Sequence, residues 1–117
     1  MVNLDKLLLE VLEDVKSVGF PILDRLERRV YIDKNINHRF GICYRRTYPE
    51  RYEIHLSEFM LDADVMEIKN VLAHEVLHST LPTLEHNKLW HYFKDLMNEN
   101  IGYNIRVKCT IHDVFKK

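Results

Sequence analysis

Apolar residues recur at helical spacing from the start of the chain. Leu4, Leu7, Leu8, Val11, Leu12 and Val15 fall on one face of a 3.6-residue helix, and Asn3 stands where a side chain can cap its first turn. Gly19 and Pro21 predict its end. Three short runs rich in β-branched and aromatic residues follow. Val30-Tyr31-Ile32, Phe40 to Arg46 and Tyr52 to Leu56 read as strands, the last two forming an antiparallel hairpin around Tyr48-Pro49-Glu50. The apolar stretch from Val71 to Leu81 then reads as a helix capped by Asp62 or Asp64 and running to about Ser79, with Pro82 as a stop. A second helix is predicted from about His86 to Asn100, ended by Gly102, and Tyr103 to Ile111 reads as extended or irregular. There are no repeats and no low-complexity linker. The order predicts an α+β domain: a helix, a small antiparallel sheet of about three strands, then two helices.

Polar residues interrupt the helical stretch from Val71 to Leu81 in an informative way. His74-Glu75-Val76-Leu77-His78 lies among Val71, Leu72, Ala73, Val76 and Leu77. Residues i and i+4 share a helix face, so His74 and His78 stand one turn apart and can bind one zinc ion. Glu75 flanks the same face, where a carboxylate can take a proton from a water that zinc activates. A carboxylate and two imidazoles are costly to desolvate unless something pairs them, and a metal does so. The spacing is the H-E-x-x-H arrangement of zinc metalloproteases.

A catalytic zinc takes three protein ligands and keeps one open position. His86, eight residues after His78, opens the next predicted helix and can reach back over the metal. Glu99 is the main rival and His91 a further option. The longer H-E-x-x-H-x-x-G-x-x-H pattern does not fit, because Leu81 and Leu84 occupy its glycine and third histidine. Trp90 reads as core packing on the second helix, with a place beside the site as the alternative.

His74-Glu75-x-x-His78, a short loop and His86-x-x-x-Trp90 resemble the SprT-like zinc metalloprotease domain. In that family the third ligand is the histidine of an H-G-x-x-aromatic element. Asn98, Gly102, Asn104-Ile105, Val107, Thr110 and His112-Asp113 resemble the segment that follows in its Spartan-like branch. The resemblance implies a zincin-like fold, a zinc cofactor, His86 as the third ligand and Glu75 as general base. It also implies action on DNA-associated proteins. Asn87 stands where the family has glycine, and asparagine tolerates turn geometry well. Many members carry a four-cysteine zinc ribbon, which the two cysteines here, Cys43 and Cys109, cannot make. Zincin-like enzymes bind an extended peptide at a sheet edge, for which the Tyr52–Leu56 strand is the candidate here.

Composition narrows the setting. At 117 residues the chain is expected to fold as one domain, 1–117. No run approaches the ~20 apolar residues that span a bilayer. Two isolated cysteines and an N-terminus without signal-peptide form predict a reduced, cytoplasmic protein. The net charge of −1 gives no global pull toward nucleic acid. From Asp24 to Arg51, however, eight basic residues stand against four acidic ones, interleaved with tyrosines. That region reads first as a solvated sheet face and second as a surface for phosphates or unpaired bases. His55 reads as structural or exposed.

The function expected is zinc-dependent peptide hydrolysis, with His74, His78 and His86 on the metal and Glu75 as base. Tyr103, Arg106 and His112 are positional candidates for the oxyanion donor. The partner expected is a protein or peptide substrate, with nucleic acid second and no membrane. A zinc hydrolase of some other substrate and a non-catalytic zinc module are the alternatives. A purely structural site would close its fourth position, through His91 or His112, and would not need Glu75.

Overall fold

The computed structural model describes residues 3–36, 39–80 and 86–107. Helix α1 (Leu4–Ser17) begins where Asn3 accepts a hydrogen bond from the Lys6 amide at 3.1 Å, and it buries Leu7, Leu8, Val11, Leu12 and Val15. Strands β1 (Leu26–Asp33), β2 (Gly41–Thr47) and β3 (Glu50–Ser57) follow. A short 3-10 turn (Glu58–Asp62) leads to helix α2 (Val65–Val76), and helix α3 (Lys88–Asn100) comes last. The architecture is α+β.

The sheet differs from the expected antiparallel one. Its order is β1-β3-β2, with β2 antiparallel to β3 from Gly41↔Leu56 to Thr47↔Glu50 and β1 parallel to β3 through Val30↔Ile54 and Tyr31↔His55. The sheet is therefore mixed. The strand expected at the edge, Tyr52–Leu56, lies at its centre, and the edges are β1 and β2. Burial explains the placement. Tyr52, Ile54 and Leu56 are fully buried on one face, and Glu53 and Ser57 are almost as well hidden on the other. Only a strand with neighbours on both sides and cover on both faces can hide both sets.

Helix α1 packs on β1 and α2, and α2 packs on β2 and β3. Leu8, Val11, Ile54, Leu56, Ile68, Leu72, Val76 and Leu77 meet in one core cluster with Trp90 and Met97 from α3. Each such side chain contributes about 1.5–3 kcal/mol of transfer free energy on burial. Phe20 meets Phe93 edge to face at 5.0 Å, closing α3 onto the end of α1. No helix among the described residues is long and apolar enough to cross a membrane.

The outer face of β3 is covered by polar and aromatic neighbours. His55 stacks on Tyr31 at 5.0 Å and meets Tyr44 edge-on at 4.5 Å, and its Nε2 lies 3.1 Å from Glu53. Arg46 and Arg51 donate to the same Glu53 carboxylate. His55 thus takes a structural place.

Candidate metal centre

Helix α2 ends two residues before His78. Leu77 stays near helical geometry, and the His78 and Ser79 amides bond back to Glu75 and Val76 at 3.0 and 2.9 Å, tightening the last turn. His74 and His78 still stand one above the other, with ring centroids 5.1 Å apart. The predicted Pro82 stop lies outside the described residues.

His86 comes from the start of α3. Asn87 caps that helix by accepting from the Trp90 amide at 3.0 Å, so the residue in the family's glycine position acts here as an N-cap. The cap fixes the chain where His86 turns back toward α2. The His86 ring lies 5.0 Å from His74 and 4.6 Å from His78. Ligand atoms of His74, His78 and His86 all fall within 4.8 Å of one another. His86 Nε2 approaches His74 Nε2 to 3.1 Å. Two nitrogens bound tetrahedrally to one zinc at about 2.05 Å would stand ~3.3 Å apart, close to the His74–His86 separation, and three neutral imidazoles are a donor set that suits such an ion. Among the described residues no acidic or cysteine side chain joins this cluster. Glu99, the rival third ligand, is exposed on α3.

Trp90 is fully buried, and it also forms a wall of the site. Its ring lies 4.9, 5.3 and 4.5 Å from His74, His78 and His86, and its Nε1–H donates to the His74 carbonyl at 3.4 Å. Both sequence readings of this residue hold at once.

Electrostatics suit ligation. Burial pushes the His74 imidazole down to about 3, helped by the neighbouring His78, so it is neutral at physiological pH. Burial likewise lowers His86. His74 Nδ1 lies 2.7 Å from the Arg106 carbonyl oxygen. A carbonyl has no proton to give, so Nδ1 carries the hydrogen and the Nε2 lone pair faces the cluster.

Glu75 is buried, with Oε2 3.8 Å from His74 Nε2. Burial pushes its carboxyl up to about 8, opposed by the Arg39 charge and by the Cys43 amide donating to it. Gly41, at the start of β2, makes this placement possible. A Cβ there would meet the His55 carbonyl oxygen at 2.9 Å and Glu75 Cγ at 3.2 Å.

Two of the three oxyanion candidates have partners of their own. The Tyr103 hydroxyl donates to Asp14 at 2.6 Å, the Arg106 guanidinium lies 3.7 Å from Glu67, and His112 lies outside the described residues. Sequence reading missed Arg39, an exposed cation whose charge acts on His74, Glu75 and His86 together. Its only signal in the sequence was membership of a basic stretch. Much of that stretch is neutralised by pairing: Arg25 and Arg45 with Glu50, and Arg46 and Arg51 with Glu53 just beyond it.

A family model described as the SprT-like family matches residues 8–110. No curated protein and no solved structure matches the chain.

Proposed function

The chain belongs to the SprT-like family, and from that premise we propose that it is a zinc-dependent metallopeptidase in which Glu75 is the general base. The carrying observation is the convergence of three imidazoles on one point beside a buried carboxylate. His74, His78 and His86 would hold the ion as neutral ligands, and His74 can do so at pH 7 without first losing a proton. When bound, zinc supplies a Lewis acid that polarises a carbonyl, acidifies water toward a pKa of ~7 and favours the ionised form of a nearby carboxylate.

Glu75 then takes the proton of the attacking water and returns it to the leaving amine. The Cys43 amide holds one side of the carboxylate, which leaves the other free for proton transfer. Arg39, whose charge reaches Glu75, His74 and His86, is the candidate source of positive charge for the oxyanion that develops on the scissile carbonyl. β2 runs past Glu75 with one edge unpaired among the described residues. An extended substrate segment can add there as a fourth strand, its backbone held in register beside the base.

The test pairs metal content with cleavage. Wild type purified without chelators should carry about one zinc per chain, and His86→Ala clearly less. Wild type should cleave an unfolded protein substrate, and Glu75→Gln should keep zinc and lose cleavage by at least ~100-fold. Running the assay with and without DNA addresses the DNA-associated substrates expected from the family resemblance. Cleavage by Glu75→Gln at the wild-type rate would refute the general-base role.

A further inference from the structure

After α3 the chain turns at Gly102, whose φ of +77° suits a residue without a side chain, and runs back across α2. Residues 103–106 form no regular element, yet every step is tied down. The Tyr103 hydroxyl is held by Asp14 of α1 at 2.6 Å. The Asn104 amide donates to the Asn70 side chain of α2 at 2.9 Å. Ile105 is held twice by one side chain: Asn98 Oδ1 accepts from its amide at 2.8 Å, and Asn98 Nδ2 donates to its carbonyl at 3.1 Å. The next carbonyl along the chain, that of Arg106, is the one bonded to His74 Nδ1.

An asparagine amide that both donates to and accepts from one residue copies a strand partner, and it fixes the two peptide groups on either side of the Ile105 α-carbon. The peptide after them carries the Arg106 oxygen. A tilt of the Ile105 peptide would swing that oxygen away from His74, and the imidazole would be free to change tautomer or rotate. Outer partners of metal-binding histidines act in this way, setting ring orientation and ligand basicity.

We propose that Asn98 is a positioning residue of the metal centre: by clamping Ile105 it holds the Arg106 carbonyl on His74 Nδ1 and so keeps His74 Nε2 available to a metal ion. The inference rests on the metal-binding reading above and extends it to a residue near the C-terminal end of α3, bonded to Ile105 rather than to a ligand histidine. Asn70 has the supporting part, holding the preceding peptide.

The experiment uses the full chain in metal-free and zinc-loaded forms. Nitrogen-15 NMR of the metal-free protein reads the His74 tautomer directly. The wild type should show His74 protonated at Nδ1, and Asn98→Ala a mixture of both tautomers. Zinc affinity, measured by competition with a chromophoric chelator, should fall 10- to 100-fold in Asn98→Ala. Leu12→Ala, a core truncation on α1 away from the clamp, controls for loss of stability and should keep both the tautomer and the affinity. The proposal is overturned if wild-type His74 is protonated at Nε2, or if Asn98→Ala keeps the wild-type tautomer and affinity. It is also overturned if Leu12→Ala, matched in stability, loses as much affinity. A wild type that binds zinc as described but cleaves no protein would refute the peptidase reading alone. A wild type that binds no zinc would refute both.

Discussion

Removing the metal should leave a protein whose stability peaks on the acid side of neutral. Two buried groups set the shape. His74 falls from an ordinary 6.5 to about 3 in the folded chain. Its neutral form is favoured by folding, so its contribution is fully present above pH 6.5 and is lost as pH falls toward 3. Glu75 rises from an ordinary 4.5 to about 8. Its protonated form is favoured by folding, so its contribution is fully present below pH 4.5 and is lost as pH rises toward 8. Between pH 4.5 and 6.5 the two slopes cancel, because the unfolded chain gains one proton at histidine and loses one at glutamate.

The alkaline limb is the diagnostic one. Acid loss is shared with carboxylates such as Glu53, which its Arg and His partners hold low against its own burial. From pH 6.5 to 8 Glu75 dominates, at about 1.4 kcal/mol per pH unit until it begins to ionise, or roughly 1.5–2 kcal/mol in all. Guanidinium unfolding in the presence of a chelator, from pH 5 to 8, measures it. Glu75→Gln should flatten the limb and, where its amide packs as the neutral carboxyl does, be more stable than wild type at pH 8 by roughly 4 kcal/mol, because wild type has already lost stability at this group from pH 4.5 upward. The reasoning fails if chelated wild type is as stable at pH 8 as at pH 6, or if Glu75→Gln shows the same loss.

Gly41→Ala should cost about 1–3 kcal/mol, because its Cβ would press on the His55 backbone rather than on a flexible side chain; calorimetry should show Tm lowered by roughly 4–12 °C. Asn87→Ala should cost about 1 kcal/mol through loss of the α3 cap, whereas Asn87→Gly should cost only a few tenths; denaturant midpoints distinguish them. Zinc at 100 times its Kd should stabilise the wild type by about 2.7 kcal/mol and leave His86→Ala nearly unmoved, as read by thermal melts. Arg39→Met should keep zinc affinity and lower kcat by ~10-fold or more, as steady-state peptide cleavage would reveal.

Much of this architecture was legible because it rests on local rules. The α1 face, the Asn3 cap and the one-turn spacing of His74 and His78 need only neighbours within a few residues. The position of β3 was not legible. Glu53, His55 and Ser57 look like the solvent side of an edge strand, and their burial depends on Tyr31, Tyr44 and Arg46 arriving from two other strands. The grouping of His86 with His74 and His78 was favoured by spacing and family likeness, since periodicity alone left Glu99 and His91 open. Asn98 resembled a family position in the sequence, but nothing there gave it a partner, because both its bonds close a loop across the end of α3. Arg39 was hidden for the same reason: its influence on the site comes from the sheet's path, and a run of mixed charges does not reveal it.

The indole among the three imidazoles has an optical consequence. Trp90 is the chain's one tryptophan, so selective excitation reports on this spot and no other. Its excited state sits within ring-contact distance of each imidazole. A change of charge there, whether from a proton or from an ion, should alter the emission. The unlabelled chain therefore carries its own gauge of occupancy, and loading, stripping and exchange can be timed by stopped-flow fluorescence.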